Sequence, residues 1–416
     1  MESRKILVWF RNDLRLHDNE MLVEAISKSD SILPVYFFDP RHFEHTIDED
    51  ARATHSRFRF LVESVSALRE SLKKLGGNLL IISGTPEEHI AALTEQYEIA
   101  EVYHHREVAT EETTVSSNVE DLLWKLRINL KHFIGHTLYN KEDLPFPIKD
   151  IPDVFSQFKK KTERDAIVKD CFLSPVQISF VEAEEWGELP RCPEAFSTIP
   201  AGGEEQGIKH LQELFAAGSE IYTKSSKGHA AQHVFSSKLS PWLAVGCLSP
   251  RKVYWAVKEA EQLSGANSHF TQLILGLLWR DFFRFMFKKH SASFFRDTAT
   301  GIEAYEDTAD YDLLLQQWKD GNTGNPLVDQ YMNELNQSGF ITHAGRLLVA
   351  TYLIHILKLN WIDGAGYFEQ RLIDYSPASN WGNWVNVALG GKDPRSKNTF
   401  DLEKQIKMLD IEIHNN

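Results

Sequence analysis

The sequence predicts two domains of different class. Residues 1–135 read as a doubly wound parallel α/β sheet and 206–416 as an all-helical domain, with a long linker over 136–205. Three observations carry this. In the first part, short and almost wholly apolar runs alternate with longer amphipathic stretches, the pattern of repeated βαβ units. A polar, proline-bearing stretch with no long period follows. Beyond it apolar positions recur at helical spacing and β-branched runs vanish.

The predicted strands are KILVWF (5–10), ILPVYFF (32–38), NLLII (78–82), AEVYHH (100–105) and KHFI (131–134). Runs this apolar suit strands covered on both faces, as parallel sheets require. Amphipathic stretches at 54–75 and 86–97 supply helices between them. In the second half, SSKLSPWLAVGCLSPR (236–251) places Ser240 before Pro241, a hydroxyl at a helix N-cap and a proline at the first helical position. Gly246 suits the stop. Ser236, Ser237 and Lys238 precede the cap. Hydroxyls, free N–H groups and a cation at a helix start suit a phosphate or pyrophosphate, and equally a plain capped helix.

LILGLLWRDFFRFM (273–286) sets a puzzle. Leu273, Gly276, Trp279, Arg280, Phe283 and Phe287 recur at three- and four-residue steps and share a helix face. The rest of the helix is mostly apolar, so it is predicted to be buried. That leaves a Trp-Arg-Asp triplet to explain. It also leaves a mid-helix glycine, which costs roughly 0.5–1 kcal/mol against alanine. DYSPASNWGNW (374–384) is rich in turn formers and is expected as a tight loop. It offers Asp374, Ser376, Asn380 and Asn383 as donors and acceptors.

With 42% hydrophobic and 25% charged residues, the composition is that of a globular protein. The amino-terminal MESRKILVWF enters a strand and does not read as a signal peptide. No apolar run approaches the roughly 18 residues of a membrane span. Cys171, Cys192 and Cys247 are far apart and odd in number, which points to a reducing cytoplasm and no metal cluster. A monomer is expected. The net charge is −14, against a nucleic-acid binder on its face. It is uneven, however. From Gln206 onward there are 21 basic and 22 acidic residues, so the second half can still present a basic patch. Seven of the ten tryptophans also lie there, a concentration that suits core packing, stacking on a flat ligand or electron transfer.

WFRNDLRLHDN (9–19), GTPEEHI (84–90), LYNKEDLPFPIKDIPDVFSQF (138–158), SSKLSPWLAVGCLSPR, LLWRDFFRF, TGNPLVDQYM (323–332) and DYSPASNWGNW resemble, in order, the motifs of the photolyase/cryptochrome family. LPFPIKDIPDVFSQF and SNWGNW resemble its DASH branch. The resemblance covers nearly the whole chain. It implies a blue-light-absorbing flavoprotein whose helical domain holds FAD. By resemblance, Tyr222, Ser236, Ser237, Leu239, Ser240, Arg280, Arg346, Asp374, Ser376 and Asn380 touch that cofactor. Asn380 would face the reactive ring nitrogen, and Ser376 replaces an aspartate of the relatives. Trp384 and Trp361 match the first two donors of a photoreduction chain. The third tryptophan is absent, and Tyr305 or Tyr311 stands near its place. Glu111 and Glu112 in REVATEE resemble the binding stretch for a methenyltetrahydrofolate antenna, and equally two solvated acids at a helix start.

The same comparison exposes departures in the cavity that takes a DNA lesion in repairing relatives. Gly276 stands where photolyases carry a glutamate, His343 and Ala344 where they carry Asn and Arg, and Asn386 where a second aromatic packs. Trp279 remains as a stacking platform. The expected function is therefore a DASH-like cryptochrome with a degraded repair cavity. Its expected partners are DNA, bound weakly or as a single strand, and a signalling protein. Two rival readings are a photolyase of cyclobutane pyrimidine dimers, acting on single strands, and a nucleic-acid binder without photochemistry.

Overall fold

The computed structural model describes residues 3–42, 52–192, 201–222, 235–291, 310–389 and 401–413. The first domain runs β1 (Lys5–Phe10), α1 (Glu20–Lys28), β2 (Ser31–Phe38), α2 (Arg52–Lys74), β3 (Leu80–Ser83), α3 (Pro86–Gln96), β4 (Ile99–His105), α4 (Thr110–Lys125) and β5 (Asn129–Phe133). All four strand pairings are parallel, in the order β3-β2-β1-β4-β5. Alternate side chains of β1 feed different cores. Ile6, Val8 and Phe10 join Met21, Val65 and Leu68 on one face, while Leu7 and Trp9 join Ile90, Val119 and Leu123 on the other. The period of two and the helices on both sides explain the unbroken apolar runs.

The connecting stretch is less extended than its composition suggests. Phe155–Asp165 form a helix, α5, which packs on the second domain. That domain comprises α6 (Glu204–Leu214), α7 (Ser240–Ala244), α8 (Pro250–Ser264), α9 (Ser268–His290), α10 (Tyr311–Asp320), α11 (Pro326–Ser338), α12 (His343–Thr351), α13 (Trp361–Arg371), α14 (Pro377–Ala388) and α15 (Leu402–Ile413). Two local expectations need correction. Helix α7 starts with Ser240 already helical and Leu239 at the cap, and no side chain caps it. The stretch expected as a loop at 374–384 is mostly helix α14, with Ser376 at its cap and Pro377 in its first turn. Its small residues serve packing: a Cβ on Gly382 would sit 2.4 Å from the Phe283 ring.

Buried charges join the two domains. Arg15 has no solvent exposure and donates to the carbonyls of His17, Asp18, Gly135 and Gly246 at 2.8–3.1 Å. Asp18 pairs with Arg251 at 2.7 Å, and His17 with Glu204 at 2.5 Å. Gly246 has φ +71, and a Cβ there would lie 1.8 Å from the Asn12 carbonyl oxygen, so only glycine lets the chains approach this closely. The motif RNDLRLHDN thus works as a polar plug between the sheet and the helices.

The Trp-Arg-Asp triplet of α9 is a second plug. Trp279 stacks on Phe155 of α5, with ring centroids 3.6 Å apart. Arg280 donates to the carbonyls of His136 and Leu243. Asp281 is fully buried and accepts the backbone N–H groups of Leu138 and Tyr139. Burial pushes its carboxyl up to about 7. Three side chains in a row therefore bolt one helix to the linker. Gly276, one turn before Trp279 and Arg280 along the same side of α9, is exposed, with open space where a Cβ would stand. The N-terminal part of α9 is thus less buried than its apolar sequence suggests.

Candidate functional site

A cavity opens between α12, α13 and α14. Helix α12 contributes His343, Arg346, Leu347 and Ala350. Phe368 and Leu372 come from α13 and its end, Asp374 and Ser376 from the turn, and Ser379, Asn380, Asn383, Trp384 and Val387 from α14. The steps of three and four along α12 and α14 place these residues on one face of each helix.

The polar centre of the cavity is an ion pair. Arg346 Nη2 donates to both carboxylate oxygens of Asp374, at 3.0 and 2.8 Å. Its Nε donates to the Ile341 carbonyl at 3.0 Å. The Asp374 side chain is 1% exposed and that of Arg346 25%. Beside them Asn380 is buried and donates its amide to the Ala365 carbonyl at 3.0 Å. Among the described residues its Oδ1 finds no hydrogen-bond partner. A buried acceptor without a donor is rare in a finished core. Next to a guanidinium–carboxylate pair and an indole, it fits a planar heteroaromatic ring bearing N–H groups, and the isoalloxazine of FAD is such a ring.

Trp384 closes the inner wall. It is 3% exposed, with Phe368 at 5.2 Å and Trp318 at 6.1 Å between ring centroids. A Cβ on Gly364 would meet its Cη2 at 2.3 Å, so α13 and α14 touch there because residue 364 is glycine. Trp361, at the start of α13, is fully buried and meets Trp381 edge-on at 5.9 Å. Tyr311 donates to Asp363 at 2.5 Å and accepts the Asn360 N–H at 3.0 Å, beside Trp361. Tyr305 lies outside the described residues.

The cavity gathers Arg346, Asp374, Ser376, Asn380, Trp384 and His343 from the residues marked in sequence. Several others sit elsewhere. Arg280 is spent on two carbonyls, as described. Trp279, expected as a platform in the lesion cavity, is not among the residues lining this one and stacks on Phe155. Tyr222 points its hydroxyl at the Phe215 carbonyl, 3.1 Å away, and packs on Phe270. Ser237 lends its carbonyl to His210 at 2.9 Å, while Leu239 is buried. Ser236 and Ser240 are half-buried in the same segment, and Asn386 and Ala344 are half-buried on α14 and α12. Glu111 is exposed. Glu112 is half-buried and is not a solvated acid; it accepts the Ala109 N–H at 3.2 Å at the start of α4. Burial and the nearby Glu107 push its carboxyl up to about 7. The apolar walls (Leu347, Ala350, Phe368, Leu372 and Val387) escaped the sequence reading, although their helical register with Arg346 and Asn380 signalled them.

The architecture sets a five-stranded parallel domain against a helical one. Residues 6–176 match the family model for DNA photolyase, and residues 273–414 that for the FAD-binding domain of DNA photolyase. The chain is 40% identical to cryptochrome DASH of Synechocystis over 97% of its length and 85% of that protein. It is 38% identical to cryptochrome DASH of Gloeobacter violaceus over 99% and 84%. The solved Synechocystis cryptochrome superposes with a TM-score of 0.88 at 38% identity, covering 99% of this chain and 87% of that one. A class III photolyase from Agrobacterium tumefaciens, at 24% identity and a TM-score of 0.79, shares the fold over 98% of this chain and 86% of its own. The chain belongs to the photolyase/cryptochrome family and resembles its DASH cryptochromes, and its helical half is the family's FAD-binding domain. Among the described residues no helix is long and apolar enough to cross a membrane.

Proposed function

We propose that the protein is a cytoplasmic, blue-light-reactive FAD protein whose cavity between α12 and α14 holds the flavin ring, and that it does not repair pyrimidine dimers. The observation that carries this is the orphaned Asn380 Oδ1 beside the Arg346–Asp374 pair and the buried Trp384. When bound, FAD would supply light absorption and a strong one-electron oxidant. The chain's own residues would do the rest. Arg346 and Asp374 would fix the ring edge by charge-assisted hydrogen bonds. Asn380 would accept a ring N–H, and the apolar wall of Leu347, Phe368 and Val387 would exclude water. Trp384 would surrender an electron and recover it from Trp361. The loss of repair rests on Gly276, His343, Ala344 and Asn386, which offer none of the cavity groups of the repairing relatives. Binding of DNA, weakly or as a single strand, by a monomer, together with a signalling protein that reads the redox state, completes the proposal. A folate antenna near Glu111 and Glu112 belongs to it as well.

Purified protein supplemented with FAD should absorb in the blue, and Trp384→Phe should keep that absorption yet slow reduction under blue light with external thiol. Absence of flavin absorption, or unchanged photoreduction in the variant, overturns the reading. Reversal of pyrimidine dimers by the unaltered protein, as fast as by an ordinary photolyase, would replace it with the repair reading.

A further inference from the structure

Trp381 belongs to none of the functions described so far, although it sits inside SNWGNW. Its ring meets Trp361 edge-on, with centroids 5.9 Å apart. Its Nε1 donates to Glu369 Oε2 at 3.1 Å. The Tyr375 phenol faces the same Glu369 carboxyl, on α13. The Arg57 guanidinium lies 5.3 Å above the Tyr375 ring and donates to the Glu369 backbone carbonyl. Trp381 also packs against a small apolar cluster in which Ala109 of the first domain meets Phe287 and Ala378. This is a titratable cluster at the domain boundary, centred on an indole that touches a buried one.

The two indoles differ in the way that matters for a radical. Trp361 is fully buried, and among the described residues its Nε1 finds no hydrogen-bond partner. Once oxidised it has no base to take its proton, so it stays a cation and a strong oxidant. Trp381 is half-buried and carries a carboxylate on its N–H. An oxidised Trp381 can lose that proton at once, which lowers the energy of the hole and holds it there. Burial raises the Glu369 carboxyl above its ordinary range, which favours proton uptake. The groups facing that carboxyl are Tyr375, Trp381, Arg57 and, from α4, Glu111.

We propose that Trp381 is the terminal donor of the photoreduction chain and Glu369 its proton acceptor. The inference rests on the proposed photoreduction through Trp384. In the step, Trp381 gives one electron to the oxidised Trp361. The Trp381 N–H bond breaks, and its proton forms an O–H bond on Glu369 Oε2. A neutral Trp381 radical and a carboxylic acid result. An external thiolate then returns one electron to the indole, becoming a thiyl radical, and Glu369 returns the proton. Trp381 thereby fills the place of the absent third tryptophan.

The test has one arm without flavin and one with it. In flavin-free protein, the indole N–H resonance of Trp381, assigned by its loss in Trp381→Phe, should shift in Glu369→Gln while those of the other tryptophans stay. An unmoved resonance overturns the proposal. In FAD-loaded protein, transient absorption and electron paramagnetic resonance after a blue flash should show a long-lived neutral tryptophan radical in the wild type. That signal should vanish in Trp381→Phe, and in Glu369→Gln it should remain a short-lived cation. In the unaltered protein, D2O should slow conversion of cation to neutral radical. A wild-type radical that stays cationic, or is insensitive to D2O, overturns the proposal without any variant. If Trp384→Phe abolishes photoreduction but Trp381→Phe or Glu369→Gln leaves the radical unchanged, this inference fails and the proposed function stands. If Trp384→Phe changes nothing, the proposed function fails and takes this inference with it.

Discussion

Removing either half of the Arg346–Asp374 pair strands the other in a different environment. Asp374 is 1% exposed at its side chain, whereas Arg346 is 25% exposed and keeps a second acceptor in the Ile341 carbonyl. Asp374→Ala therefore leaves a guanidinium with one protein partner and access to water. In flavin-free protein this should cost about 1.5–3 kcal/mol, the worth of hydrogen bonds to a charged group. Arg346→Met leaves a carboxylate buried with its cation gone, a loss on the order of 3–5 kcal/mol. The arginine variant should thus be the weaker protein: both lose the two Arg346–Asp374 hydrogen bonds, and it also loses the one to the Ile341 carbonyl. The double variant should be more stable than the sum of the singles implies, with a coupling of roughly 0.5–3 kcal/mol because the groups share one interaction. Urea unfolding of all four flavin-free proteins at neutral pH gives each term. An Asp374→Ala protein less stable than Arg346→Met, or strictly additive effects, would refute the assignment of burial and charge at this site.

Two further outcomes follow from single contacts. Gly364→Ala forces a methyl to within 2.3 Å of the Trp384 ring; overpacking costs about 1–3 kcal/mol, and the alanine preference of helices returns only part of it, roughly 0.5–1 kcal/mol. Thermal melting should fall and the near-ultraviolet signal of Trp384 should change, while an unaltered melt would mean that α13 and α14 are not in contact there. Asp281 carries a folded-state pKa of about 7, above the roughly 3.9 of a free carboxyl. Its contribution to stability is therefore complete at acid pH and is lost as pH rises from about 4 through about 7, by at most ~4 kcal/mol. Asp281→Asn keeps an acceptor for the Leu138 and Tyr139 N–H groups without that loss, so its stability relative to wild type should improve from pH 5 to pH 8. Parallel pH profiles would count against the raised carboxyl.

The parts of this molecule that were legible in sequence are those whose neighbours lie close along the chain. Every predicted strand overlaps an observed one, and the clearest of them, β1 and β2, are covered on both faces and therefore almost wholly apolar. Ser-Pro marked the start of α7 in the sequence, and the same pair at 376–377 marks the start of α14. There the glycine and asparagines that follow argued for a loop. They are instead what a helix needs when one side presses on Phe283 and the other lines a cavity. Composition reported the demand for small and polar side chains correctly and the backbone wrongly.

The interface charges were illegible for a different reason. Arg15 meets a carbonyl 231 residues away, His17 a carboxylate 187 residues away, and Leu138 donates to Asp281 across 143 residues. Nothing periodic links such pairs, and each end alone reads as surface or as a binding site. Arg280 is another such case. Its guanidinium donates to two backbone carbonyls, those of His136 and Leu243, 144 and 37 residues away. Trp381 shows the reverse case. Its two contacts, Trp361 and Glu369, both lie on α13, two turns apart, and nothing in its own segment of α14 announces them. A polar or aromatic residue in an apolar helix thus announces a distant partner, and only the packed structure says whether that partner is the rest of the chain or something the chain binds.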